Sequence, residues 1–181
     1  MPARKAKIDL SYRPRLADLR PLIAPSPTLL EARAATPRVT SANDLKDRRG
    51  YAEDFLGSFG VPWPTVEETL AGDVQKRLDY THFSITMSRS KRLALYVGVN
   101  IDGGQHVDII RSNDTWAYDG RLPIDAQVGE ALYASNGLDR GHLVRRQDPN
   151  WGDAAQTANF DTFHFTNCSP QMSGFNQKTW L

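Results

Sequence analysis

Residues 93–101, Leu-Ala-Leu-Tyr-Val-Gly-Val-Asn-Ile, form the longest apolar run of β-forming residues in this chain and commit its middle to a sheet. The run reads as a central strand. Just upstream, Phe83-Ser84-Ile85-Thr86-Met87 alternates apolar and polar side chains, as a half-buried strand does. Asp102-Gly103-Gly104 supplies a turn, after which residues 106–111 read as the returning strand. Helical signals are short: a turn at residues 67–70, a segment at 126–133, and a helix opened by Ser173-Gly174 near Phe175. Residues 138–144 read as strand or loop, and residues 163–167 alternate like a strand. The pattern predicts an α+β fold on a mainly antiparallel sheet. At 181 residues the chain can bury one substantial core.

The ends of the chain differ in character. Residues 1–43 are rich in arginine and proline, lack apolar periodicity, and contain Arg13-Pro14 and Arg20-Pro21, which oppose a continuous helix. They read as an extended basic arm or linker, and residues 44–181 as the folded domain. Arg48-Arg49-Gly50-Tyr51 through the Pro62-Trp63-Pro64 turn begins it, with aromatics that pack on the core. The arm lacks the apolar centre of a secretory signal, and no segment is apolar enough to span a membrane. A cytoplasmic location is expected, with a mitochondrial one as the alternative because of the arginines. The single Cys168 excludes an internal disulfide and suits a reducing compartment. A thiol nucleophile would need His164 or His142 beside it, whereas free cysteine usually behaves as a small hydrophobe. His82, His106 and His164 lie on strand-like segments and read as structural. No internal repeat, phosphate-binding glycine loop or Cys/His zinc spacing occurs.

The chemistry concentrates in the last third. Asp139-Arg140-Gly141-His142 is followed by Thr166-Asn167-Cys168-Ser169-Pro170-Gln171, then by Asn176 and Trp180. Hydrolysing a phosphodiester requires a base for the attacking water and positive charge on the phosphate oxygens. His142 meets the first need, since imidazole titrates at about 6.5 and is largely neutral at physiological pH. Arg140 meets the second with a planar, permanently charged fork. Gly141 lets backbone or substrate come close. Asp139 can hold His142, Arg140 or the turn itself, and the residues alone do not choose. Net charge is only +1, so positive potential must be concentrated locally, and Arg140, Arg145 and Arg146 flank His142.

The conjunction of these motifs, Asp-Arg-Gly-His, then Asn-x-x-Pro-Gln, then Asn with Trp four residues on, resembles the DNA/RNA non-specific endonuclease family. The stretch from Arg92-Leu93 to Asp102-Gly103 looks like that family's core hairpin. The resemblance implies a ββα-metal active site, with His142 as general base and Asn176 as the protein ligand to a hydrated magnesium ion. Manganese or another divalent ion is a substitute. It implies that Asn167 and Gln171 brace the site and that a phosphate-clamping arginine precedes Trp116; Arg111 matches better and Arg121 is the fallback. Arg145 and Arg146 become substrate contacts. Magnesium's preference for water and few protein ligands makes a lone carboxamide ligand chemically reasonable. There is one departure: relatives of this type carry their metal-site helix on to a glutamate, whereas this sequence stops at Leu181, as a nuclease domain truncated after that helix begins.

The expected activity is metal-dependent, sequence-non-specific hydrolysis of DNA, RNA or both. A nuclease without an export signal endangers its own cell, so an inhibitor, a sensor or an upstream module is an expected partner, as in a regulated bacterial defence effector. A homodimer, or a second polypeptide completing the domain, is a further expectation. The rival from another class is a catalytically inactive nucleic-acid-binding or scaffold subunit with a degenerate nuclease fold. Retention of both His142 and Asn176 weighs against it.

Overall fold

The computed structural model describes residues 37–111 and 115–178. The arm lies outside the described residues up to position 36, as does Trp180. Strand β1 (Val39–Thr40), in the stretch read as arm, pairs in parallel with β5 (Tyr118–Asp119) of the folded domain. A three-stranded antiparallel sheet runs in the order β2 (Leu78–Asp79), β3 (Phe83–Met87), β4 (Ala94–Val99).

The centre of that sheet is β3, not the longer apolar run. All five β3 residues are buried, whereas every residue of β4 is only half-buried. The alternation in β3 misleads because loop residues 50–64 cover its polar face. Ser84 Oγ accepts from Tyr51 N (2.8 Å) and donates to Asp79 Oδ1 (2.6 Å), while Thr86 Oγ1 accepts from Trp63 Nε1 (3.3 Å). Hydroxyls satisfied in this way can be buried at little cost. Across the sheet Leu45, Leu78, Tyr80, Phe83, Ile85, Met87 and Val144 form the principal apolar cluster.

The returning strand expected at residues 106–111 does not form. The β3–β4 hairpin closes earlier, through residues 88–93, with Ser88 N donating to Leu93 O (2.9 Å). Asp102 directs the chain elsewhere: its carboxylate accepts from Gly104 N (2.9 Å) and Gln105 N (3.2 Å), capping a short 3-10 turn. The following segment docks against residues 146–151. His106 bridges Trp151, and Val107 N donates to Asn150 O (2.8 Å).

Two further strands, β6 (Leu138–His142) and β7 (Cys168–Met172), pair antiparallel from Leu138↔Met172 to His142↔Cys168. Helix α3 (Ser173–Lys178) leaves β7 without a break, completing a ββα unit within an α+β fold. The strand expected at residues 163–167 is instead a buried 3-10 turn over Phe165–Asn167 feeding β7. Helix α1 spans only Glu130–Tyr133, because Gln127, read as part of it, is engaged in bonding Asp119 N and O (both 2.9 Å). The turn expected at 67–70 is a 3-10 helix over Glu68–Asp73. Helix α2 (Ala155–Asp161) has no clear signal in the sequence. No helix among the described residues is long and apolar enough to cross a membrane.

Buried polar groups join these parts. Tyr80 OH donates to Asp119 Oδ2 (2.5 Å) and lies 2.6 Å from Thr166 Oγ1. Arg121 pairs with Asp119 (2.7 Å), stacks over the Tyr80 ring (4.6 Å) and donates to Asp79 O (2.6 Å). His164 meets Thr40 Oγ1 through Nε2 and Asp161 O through Nδ1, both at 2.9 Å. Asp161 pairs with Arg48 (2.8 Å) and accepts from Thr81 N and Oγ1.

These contacts set the acid response. Burial works to raise the Asp119 carboxyl, but the bonds and charge of Arg121, with the Tyr80 hydroxyl, outweigh it and hold it below the usual range. Its stabilisation is therefore present above the unfolded carboxylate value of about 3.9 and lost as pH falls through the depressed folded value. Burial lowers His164, and likewise His82, so the unfolded chain takes up protons near pH about 6.5 that the folded chain refuses. Stability should thus decline first below that pH and again in the acid range of Asp119. Thermal unfolding across pH checks both steps. Asp119→Asn should cost about 3–5 kcal/mol at neutral pH by leaving the Arg121 charge without its carboxylate, and should shrink the second step.

Candidate active site

Strand β6 carries the Asp-Arg-Gly-His motif along one side of an open cavity of about 840 Å³. His142 is its last residue, and Arg111, Arg140, Arg145, Arg146, Asp139 and Asn176 also line the space. The His142 ring lies 4.7 Å from that of Trp116 and meets Phe163 edge-on at 5.0 Å. Aromatic walls on two sides restrict the imidazole to a narrow range of orientations. Trp116, used in the sequence only to mark spacing, is thus part of the site.

Asp139 holds neither His142 nor Arg140. Its Oδ2 accepts from Asn176 Nδ2 (3.1 Å) and Gln177 Nε2 (2.8 Å), tying β6 to α3. A carboxylate can only accept, so it selects the amide's NH₂ and leaves Asn176 Oδ1 turned away from it as an available acceptor or ligand. Among the described residues no group of three His, Cys, Asp or Glu side chains could hold a metal. The donor set therefore does not suit an ion held by a protein cage. It does fit a hard, largely hydrated cation that needs one oriented oxygen and takes its other ligands from water and phosphate.

The arginines divide. Arg121 is bonded within the buried Asp119–Tyr80 cluster and does not line the cavity, whereas Arg111 does. Arg140 is paired with Glu130 through Nη2 and through Nε (3.1 Å to Oε2), and lies over the Tyr133 ring at 5.6 Å. Neither partner is apparent in the sequence, although Glu130 and Tyr133 sit at i, i+3 on α1, the spacing that shares a helix face. Arg145 forms an exposed pair with Asp148 (3.1 Å). Arg146 donates to Ile109 O (2.7 Å), and Gln147 Nε2 to Asp108 Oδ1 (2.9 Å), so this loop braces the segment leading to Arg111.

Asn167 is fully buried and borders no solvent. Its Oδ1 accepts from Val144 N (2.9 Å), and its Nδ2 donates to Val144 O (2.9 Å) and Thr162 O (3.0 Å). It anchors the backbone two residues after His142. The Gln171 side chain lies across Gly141, so that a Cβ at that position would overlap Gln171 Cδ. That close approach, rather than a left-handed backbone, explains the glycine. Cys168 is buried with Sγ donating to Tyr133 OH (3.2 Å), and burial pushes its thiol up to about 12. Burial and the raised thiol both argue against a thiolate nucleophile here. His82, stacked on Trp151 at 3.4 Å with Nδ1 2.8 Å from Pro149 O, is structural.

Gly141→Ala should displace Gln171 and lower stability by about 1–3 kcal/mol, the usual cost of overpacking. Chemical denaturation beside Gly141→Ala/Gln171→Ala checks this: removing the Gln171 side chain should restore part of the loss if the clash is its source.

Residues 64–181 match the model of the DNA/RNA non-specific endonuclease family. A protein of Sinorhizobium fredii described as "Uncharacterized protein y4fB" is 41% identical over 180 residues, covering 87% of this chain and 27% of its own length. The mitochondrial endonuclease G of Homo sapiens is 40% identical over 50 residues, 28% of this chain and 16% of that protein, and the Bos taurus protein gives the same figures. The chain thus spans about a quarter of the Sinorhizobium fredii relative. With about two thirds of its length matched by the family model and the ββα unit in place, the chain belongs to the DNA/RNA non-specific endonuclease family.

Proposed function

We propose that this chain is the nucleic-acid-cleaving part of a metal-dependent, sequence-non-specific endonuclease. The observation that carries the reading is the Asp139–Asn176 bond, which orients a carboxamide oxygen beside the cavity that His142 lines. His142 accepts a proton from the water that attacks phosphorus. Arg111 and Arg140 draw charge from the non-bridging phosphate oxygens, and Arg145 and Arg146 guide the flanking backbone. Asn176 would hold a hydrated magnesium ion, or manganese in its place, which supplies Lewis-acid stabilisation of the charge developing on the phosphate and the leaving oxygen. Asn167 and Gln171 keep the β6–β7 ribbon in register beneath these groups. The charged donors lining the cavity are suited to phosphate, and phosphate contacts carry no base information, which favours indifference to sequence.

A cytoplasmic enzyme of this kind requires restraint. An inhibitor, a sensor, an upstream module or a second polypeptide completing the domain would supply it, and a homodimer is a further form. A mitochondrial location is the alternative, in keeping with the mitochondrial endonuclease G relatives. The role proposed is that of a regulated defence effector.

Plasmid and RNA cleavage with magnesium and with EDTA tests the reading. Magnesium-dependent nicking should fall by at least about 10²-fold in His142→Ala, with nucleic-acid affinity retained. Asn176→Ala should lose activity that excess magnesium partly restores, and Asp139→Ala should raise the magnesium concentration needed for half-maximal activity by about 10–100-fold through the freed carboxamide. Affinity without turnover in the intact protein would instead identify a scaffold subunit.

A further inference from the structure

Glu130 begins α1, ten residues before Arg140 in sequence, and stands behind that arginine rather than on the cavity wall. Its carboxylate takes the Nε edge of the Arg140 fork, one oxygen at 3.1 Å from Nε and the other on Nη2. The guanidinium also rests 5.6 Å over the Tyr133 ring. Tyr133 is itself immobile: it is buried, stacked toward Phe165 and bonded by Cys168 Sγ. A guanidinium carries five N–H groups in one plane, so engaging Nε and Nη2 leaves donors on the opposite edge. Arg140 lines the cavity, where that remaining edge can meet a phosphate.

We infer that Glu130 is a positioning residue for the reaction: it grips the back of Arg140 against Tyr133 so that the free edge is pre-aimed at the scissile phosphate. The inference rests on the nuclease reading. Two effects of Glu130 oppose one another. Its negative charge weakens the attraction of the site for a polyanion in the ground state. Its bidentate hold removes the ordering that Arg140 would otherwise undergo as charge develops on the phosphate. A residue acting in both ways separates binding from turnover, which neither a purely structural residue nor a simple charge does.

The test uses the full chain and Glu130→Gln, which keeps the shape but lacks the charge and one acceptor. Three quantities are read: kcat for plasmid nicking in magnesium, affinity for a short DNA duplex in EDTA, and the melting temperature. The expected result is a kcat lowered about tenfold or more, duplex affinity unchanged or tighter, and a melting temperature near that of the parent. In an Arg140→Ala background, Glu130→Gln should change kcat no further. Cleavage by Glu130→Gln equal to or faster than the parent overturns the inference while leaving the nuclease reading intact. So does a joint loss of affinity, turnover and melting temperature, which marks a structural residue. A parent protein that binds duplex but never cleaves overturns the nuclease reading and this inference with it.

Discussion

The paired buried carboxylates Asp119 and Asp161 organise this molecule. Each is fully shielded from solvent and each is compensated by an arginine: Arg121 for the first and Arg48, 113 residues away, for the second. A buried charge is tolerable only with such partners, so placing Asp119 and Asp161 dictates where β2, β5, α2 and the loop at Arg48 must lie. Tyr80, bonded to Asp119 and Thr166, lies against the His164 ring, which meets the Asp161 backbone carbonyl and Thr40 and so links the two centres. Short strands of two residues could not hold one another unaided; the polar cluster supplies the long-range specificity that their ladders lack.

That scaffold ends directly at the site. Thr166, held by Tyr80, precedes Asn167, whose carboxamide clamps Val144, and Val144 follows His142 by two residues. Rigidity therefore passes from the buried cluster to the candidate base through one short chain of hydrogen bonds. On the other side, Asp139 connects β6 to α3 and orients Asn176. The imidazole and the carboxamide belong to elements that are each tied to β6, so their relation does not depend on a mobile loop. The arginines are graded by their environment: Arg140 is held by Glu130 and Tyr133, Arg146 bonds a backbone carbonyl, and Arg145 remains exposed with Asp148. Around the cavity the arginines thus range from one held on two sides to one exposed at the rim.

Much of this is legible in the order of the residues. Local pattern leaves His142 on a strand or loop and opens a helix near Phe175 ahead of Asn176; that the two belong to one ββα unit is implied by the family resemblance, and the structure supplies that unit. Strand β4 is legible as a strand from its composition, but its position is not: β3, with its Ser and Thr, takes the centre because Tyr51 and Trp63 satisfy those hydroxyls from above. The failed strand at 106–111 has a similar origin. Its composition suits a strand, yet Asp102 captures the backbone of the preceding turn and Arg146 and Gln147 capture the segment itself.

What the sequence determined by itself was chemical identity and local form: which groups can take a proton, clamp a phosphate or orient an oxygen, and which segments are extended. Tertiary structure decided allegiance. It gave Asp139 to Asn176, Arg121 to Asp119, and Glu130 to Arg140, assigning one arginine to the core and leaving Arg111 at the cavity. The reason is physical: hydrogen bonds and ion pairs act over a few ångströms, so a side chain's role depends on which neighbours the fold brings within that range, and those neighbours are often remote in sequence.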